Sequence, residues 1–143
     1  MLIAELLRKK GAEVATVTTR ALVTEVIAGF AAHNVGALVV SDDGEHVDGI
    51  VSERDVVRAI DRLGAGILAE PVRAIMSASV YTCEPDETVD TLAAMMTEHR
   101  VRHVPVLSNG ELAGIVSIGD VVKSRIDELE QDRKALEHYI TAR

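Results

Sequence analysis

Apolar residues in this chain follow a helical period and then a strand period, and the alternation happens twice. Val23, Val26, Ile27 and Phe30 stand at i, i+3, i+4 and i+7, one face of a helix. Val89, Leu92, Ala93 and Met96 occupy the same offsets further along. Each helical stretch leads into a short apolar run rich in β-branched residues, ALVV at 37–40 and VPVL at 104–107. Polar turns follow, DDGEH at 42–46 and SNGE at 108–111, and then a second strand through GIVS at 49–52 and 114–117. The pattern predicts two hairpins, with further helices beginning at Asp55 and Asp120.

The letters repeat as well as the pattern. GIVSERDVV at 49–57 and GIVSIGDVV at 114–122 differ at two of nine positions. Residues 14–40 align on 80–106 without a gap, and one residue is skipped near Val47 to keep the register. Each unit therefore reads strand, helix, strand, strand, helix. So small a unit buries little surface alone, so two pseudo-symmetric units are expected to pack sheet to sheet and share a core. The expected fold is α+β. The first repeat, with its N-terminal helix, takes residues 1–62, a Gly- and Pro-containing linker 63–71, the second repeat 72–127 and a helical extension 128–143. In that extension Ile126, Leu129, Leu136 and Ile140 form an amphipathic stripe interrupted by Arg133. Two readings fit the stripe, a core face and a subunit contact.

Composition narrows the function classes. Hydrophobic residues make up 48% of the chain, enough for a packed core rather than disorder. A net charge of −8 disfavours a nucleic-acid binder, which needs a basic face. Phe30, Tyr81 and Tyr139 are the only aromatics, too few for base-stacking platforms. Cys83 is the single cysteine, which fits a reducing, cytoplasmic setting. No apolar run approaches the ~18 residues of a membrane span, so no membrane association is expected. No His-Glu-x-x-His or Cys-x-x-Cys spacing points to a metal, the phosphate-loop signature is missing, and no nucleophile–base set is visible. The chain is read as a non-enzyme.

The repeated Ser and Asp are the candidate chemistry. Ser52 with Asp55, and Ser117 with Asp120, have the spacing of a capping box at the start of a helix. The same geometry suits a ligand, because a helix N-terminus attracts phosphate and a carboxylate matches the vicinal hydroxyls of a ribose. Both readings stand on spacing alone. Arg102 and His103, within HRVRH at 99–103, are either a solvated basic patch or a phosphate contact. Arg54 stands at a helix start, where the dipole disfavours a cation unless it faces an anion. His33 and His99 occupy equivalent helix ends and read as dipole partners. Cys83 aligns with Val17 and reads as a small buried hydrophobe. Tyr81 is placed either in the core or against a planar ligand.

The doubled unit ending in G-I-V-S-x-x-D resembles the cystathionine beta-synthase (CBS) domain family, as one tandem pair covering residues 3 to 127. RHVPVLSNGELAGIVSIGDVV at 102–122 is similar to the family's second repeat. The resemblance implies adenine-nucleotide binding in clefts between the repeats, AMP first, with ADP, ATP and NADH as further candidates. It also implies association of pairs into a homodimer. One pocket would use Thr16, Ala37, Ser52 and Asp55, and the other Val80, Thr82, Pro105, Ser117 and Asp120. Arg102 and His103 would contact phosphate, and Arg54 is expected to converge with them in one cation-rich pocket. The chain departs from the family at RKKGAEV, residues 8–14, which is longer than its counterpart SASV at 77–80 and is expected to alter the mouth of the first pocket. The function implied is a regulatory energy or redox sensor. The alternative is a ligand-independent dimeric module that docks on a partner enzyme.

Overall fold

A computed structural model describes residues 1–142. Helix α1 (Ile3–Lys10) precedes the first repeat, which comprises β1 (Thr16–Val17), α2 (Val23–His33), β2 (Ala37–Val40), β3 (Gly49–Ser52) and α3 (Glu53–Leu63). Two short 3-10 turns, Ala65–Ala69 and Val72–Ala74, lead to α4 (Val89–His99), β4 (His103–Ser108), β5 (Glu111–Ser117) and α5 (Ile118–Thr141). The mixed α/β architecture and the long C-terminal helix are those expected.

Both hairpins form, and their registers position the motif. In the first, antiparallel pairing sets Ala37 opposite Ser52, and in the second His103 opposite Ser117. All four residues of β2 are buried, as its apolar sequence requires. Strand β1 pairs in parallel with β2 over two residues. Its counterpart in the second repeat shrinks to a single bridge between Cys83 and Val106. Helices α3 and α5 start two residues before the predicted points, at Glu53 and Ile118, because the serine is the N-cap and the aspartate is the third helical residue. Helices α2 and α4 end in left-handed residues, Asn34 and Arg100, with φ of 51° and 55°.

Ile27 does not join the core. Val23, Val26 and Phe30 are buried, whereas Ile27 is 39% exposed. A Cβ at Gly29 would stand 2.8 Å from Leu38 Cδ1, so α2 approaches β2 on its Gly29 side and turns Ile27 outward.

The buried residues form two clusters rather than one shared core, and the connecting segments are exchanged between them. Ile3, Leu6 and Leu7 of α1 pack with Cys83, Leu92, Met96 and Val104 of the second repeat. Ile67 and Val72, in the connection between the repeats, pack with Val23, Val26, Leu38 and Val51 of the first. Backbone bonds fix each exchange. Ile3 N–H donates to the Glu87 carbonyl and Val89 N–H to the Met1 carbonyl, both at 2.9 Å. In the first repeat Val23 N–H donates to the Glu70 carbonyl at 2.9 Å and Val72 N–H to the Ala21 carbonyl at 2.7 Å.

Candidate functional site

Both motifs are capping boxes. Ser52 Oγ accepts from the Asp55 N–H at 3.2 Å while Asp55 Oδ2 accepts from the Ser52 N–H at 2.9 Å. Ser117 and Asp120 repeat these two bonds at the same distances. The boxes satisfy amides that the first turn of a helix would otherwise leave orphaned. They do not exhaust Asp55. Its bonds, including one from Ser52 Oγ at 3.0 Å, converge on Oδ2, and Oδ1 has no hydrogen-bond partner among the described residues.

The first motif opens on a cleft of about 400 Å³ built from both repeats. Ala37, Ser52, Arg54 and Asp55 come from the first, and Val80, Tyr81, Arg102 and His103 from the second. Arg54, Arg102 and His103 are thus brought together, in the company of Asp55. Val80, expected beside Asp120, lines the Asp55 cleft instead, because the chain leaving Met76 pairs with β3 through a bridge between Ile50 and Ser77. Thr16 is exposed on β1, Thr82 is exposed, and Pro105 is buried in β4, where its carbonyl accepts from the Cys83 N–H at 3.1 Å. None of these three lines the cleft.

The cleft is rich in cations. Arg58 and Arg100 also line it, against the carboxylates of Glu53 and Asp55. Arg58 follows Arg54 by four residues, one helical turn, so its place was readable from spacing. Arg100 reaches the cleft because its left-handed backbone ends α4 there. Tyr81 stacks on His99 with ring centroids 4.3 Å apart and planes 18° from parallel, and it is 45% exposed. It offers the cleft an aromatic wall rather than filling the core. Burial pushes His103 below its ordinary pKa, a shift that Asp120 and Glu53 oppose and Lys10 and Arg102 reinforce. The His103 ring lies beside Gly36 of the first repeat, where a Cβ would stand 3.6 Å from His103 Cε1 and Nε2 and 2.9 Å from Glu53 Oε1.

The second motif is not an equivalent opening. Lys10 Nζ donates to Asp120 Oδ2 at 2.6 Å and to the Ile115 carbonyl at 2.7 Å. Burial alone would raise the Asp120 pKa, but the Lys10 ammonium and the Ser117 N–H outweigh it and hold the carboxyl below its ordinary value. The longer segment after α1 therefore acts at the second motif, not at the mouth of the first pocket, because α1 is docked on the second repeat. The cavity beside Lys10 and Asp120 measures about 130 Å³.

Asp43, Glu45 and His46 bring three possible metal-ligand atoms within 4.8 Å of one another, but all three residues are exposed. The turn accounts for them: Asp43 accepts from the Glu45 and His46 N–H groups at 2.8 Å and faces His46 Nδ1 at 2.6 Å.

A family model for the CBS domain matches the chain twice, over residues 3–62 and 72–127. Among curated proteins, the mitochondrial CBS domain-containing protein CBSX3 of Arabidopsis thaliana is 36% identical over 127 residues, covering 86% of this chain and 62% of its own length. The chain thus spans less than two thirds of that relative. YhcV of Bacillus subtilis, also described as CBS domain-containing, is 27% identical and is covered over 80% of each chain. The crystal structure of ATU1752 from Agrobacterium tumefaciens superposes with a TM-score of 0.84 at 45% identity, covering 87% of this chain and 99% of the other. PAE2072 from Pyrobaculum aerophilum, solved in complex with AMP, gives a TM-score of 0.73 at 31% identity over 84% and 89% of the two chains.

Proposed function

We propose, since the chain belongs to the CBS domain family as a tandem pair of its repeats, that it is a non-catalytic regulatory module binding an adenine nucleotide of the AMP type in the Asp55 cleft. The observation that carries this reading is the pairing of Asp55 Oδ1, which has no hydrogen-bond partner among the described residues, with the guanidinium groups of Arg54 and Arg102 and the His103 ring in one cavity of about 400 Å³. That volume lies within the ~300–1,000 Å³ usual for small-molecule sites. Asp55 would accept from the ribose hydroxyls, Tyr81 and Val80 would flank the base beside Ala37, and the basic group would hold the phosphate. The AMP in the Pyrobaculum aerophilum relative supports this ligand class. Occupancy would bias the placement of the two repeats, by no more than the ligand's differential affinity for the two arrangements. ADP, ATP and NADH belong in the same test, and a cytoplasmic location and a homodimer are part of the proposal.

A second reading is favoured by one observation. Val122, Ile126, Leu129, Leu136 and Ile140 are exposed along α5, which suits a dimeric module whose task is to dock on a partner enzyme. Titration of AMP against adenosine separates the two readings. Wild type is expected to prefer AMP by at least tenfold, because charge-assisted bonds are roughly twice as strong as neutral ones. Arg102→Ala should lose most of that preference and keep adenosine. Unfolding in saturating ligand gives the same answer, since ~100 times Kd adds about 2.7 kcal/mol. Equal binding of AMP and adenosine would remove the phosphate role. No stabilisation by any adenine nucleotide would leave the docking module.

A further inference from the structure

The two motif aspartates have the same cap and different company. Asp55 receives a third bond from its own Ser52 hydroxyl, at 3.0 Å. Asp120 receives its third from Lys10, at 2.6 Å. The difference originates in the segments exchanged between the repeats. After Met76 the chain leaves its docked position in extended form, and Ser77 exchanges two backbone bonds with Ile50, at 2.9 and 3.0 Å. After Leu7 the chain instead stays helical through Lys10. Ile115, the residue equivalent to Ile50, then pairs with Pro105 of β4 but has no counterpart of Ser77 on its other side among the described residues. The Lys10 ammonium takes the Ile115 carbonyl at 2.7 Å, which also brings it onto the carboxylate.

We infer that Lys10 is a resident occupant of the Asp120 site, so that each chain takes one nucleotide, at Asp55, and Asp120 becomes available to a ribose only when Lys10 is removed. This rests on the nucleotide reading of the Asp55 cleft. Asp120 keeps Oδ1 without a hydrogen-bond partner among the described residues, as Asp55 does. The difference lies in Lys10 itself: its ammonium gives Asp120 Oδ2 a short charged donor that a neutral hydroxyl does not match. The two side chains are 30% and 24% exposed, so the pair is only partly screened by water. Displacing it would also strip the Ile115 carbonyl of its donor.

Calorimetric titration with AMP, on the whole chain, tests the assignment. Wild type should bind one AMP per chain, Lys10→Met two, and Lys10→Arg one, because arginine keeps the ion pair. Adding Asp120→Asn to Lys10→Met should weaken the gained site at least tenfold. Lys10→Gln replaces Lys10→Met if the methionine disturbs α1, with thermal unfolding as the check on folding. Two AMP per wild-type chain, or one in both charge-removing variants, would overturn the role of Lys10 and leave the Asp55 reading intact. No AMP bound by wild type or variants would overturn the nucleotide reading and the inference with it.

Discussion

Leu7 closes over Gly114: a Cβ at that glycine would stand 2.7 Å from Leu7 Cδ2. Met76 closes over Gly49 in the same way, with Sδ at 2.7 Å, and there the Ser77 carbonyl oxygen also lies at 2.9 Å. Each segment that crosses to the other repeat thus ends against the glycine that opens the GIVS phrase. Both repeats keep that glycine because the crossing chain needs the volume of its missing side chain. Gly114→Ala and Gly49→Ala are each expected to destabilise the fold by ~1–3 kcal/mol through overpacking. Gly49→Ala should cost more, since a backbone carbonyl cannot rotate away as a leucine methyl can. Urea unfolding midpoints measure the order, and a neutral Gly49→Ala would refute the close-packing account.

The repeat made the architecture legible. Period-2 and period-3.6 patterns located both hairpins and all four helices of the two repeats, and Ser-x-x-Asp located both helix starts to within two residues. What pattern could not reveal was the exchange of α1 and the interrepeat connection, because an apolar helix face does not state which repeat it covers. The same limit explains the regrouping of site residues. Val80 follows the crossing segment to the Asp55 cleft, and Lys10 follows α1 to Asp120. Arg54 is distant in sequence from the adjacent Arg102 and His103, and the fold lines one cleft with all three. The periodicity did not show that α2 meets β2 close to Gly29, which leaves Ile27 39% exposed.

His103 gives the protein a defined pH response. Its pKa is depressed in the folded chain, by burial first, with Asp120 and Glu53 opposing and Lys10 and Arg102 assisting. The folded state therefore holds fewer protons on this ring than the unfolded chain, whose histidine titrates near ~6.5. The contribution to stability is fully present above that value and declines as the pH falls through the window below it. Stability measured from pH 7 to pH 5 should drop more steeply in wild type than in His103→Gln. A phosphate beside the ring favours its charged form, so AMP binding at pH 7 should take up more protons in wild type than in the variant. Calorimetry in buffers of different ionisation enthalpy reads the difference, and identical uptake would place the phosphate away from His103.

Cys83 is expected to be inert. It is 3% exposed, its Sγ lies 3.8 Å from the Pro105 carbonyl, and desolvation, aided by Glu87, pushes its pKa to about 12. Only the thiolate reacts quickly, so a thiol probe at pH 8 should label the folded chain far more slowly than the urea-unfolded chain. Rapid labelling of folded protein would mean that the second repeat opens at the Cys83–Val106 bridge far more often than its packing implies.

The seam along α5 predicts the oligomer. Val122, Ile126, Leu129, Arg133, Leu136 and Ile140 advance by alternating steps of four and three residues, the spacing of a two-helix coiled-coil seam. Its five apolar members are between 51% and 61% exposed, so the chain's own fold leaves the seam uncovered. Arg133, the polar member, is held by Glu130 and Glu137 of its own helix at 3.5 and 3.1 Å. A single polar seam position lowers stability but fixes the register in which two identical helices meet. A second copy of the same helix is the occupant whose spacing matches. Light scattering at micromolar concentration should give twice the 15.4 kDa chain mass. Leu129→Glu with Leu136→Glu should give the monomer mass while leaving AMP affinity within about twofold, because neither residue lines the Asp55 cleft. A wild-type monomer would remove the second copy as occupant. A variant that still dimerises would move the interface off α5, to Val57 and Leu63 of α3, which are also exposed.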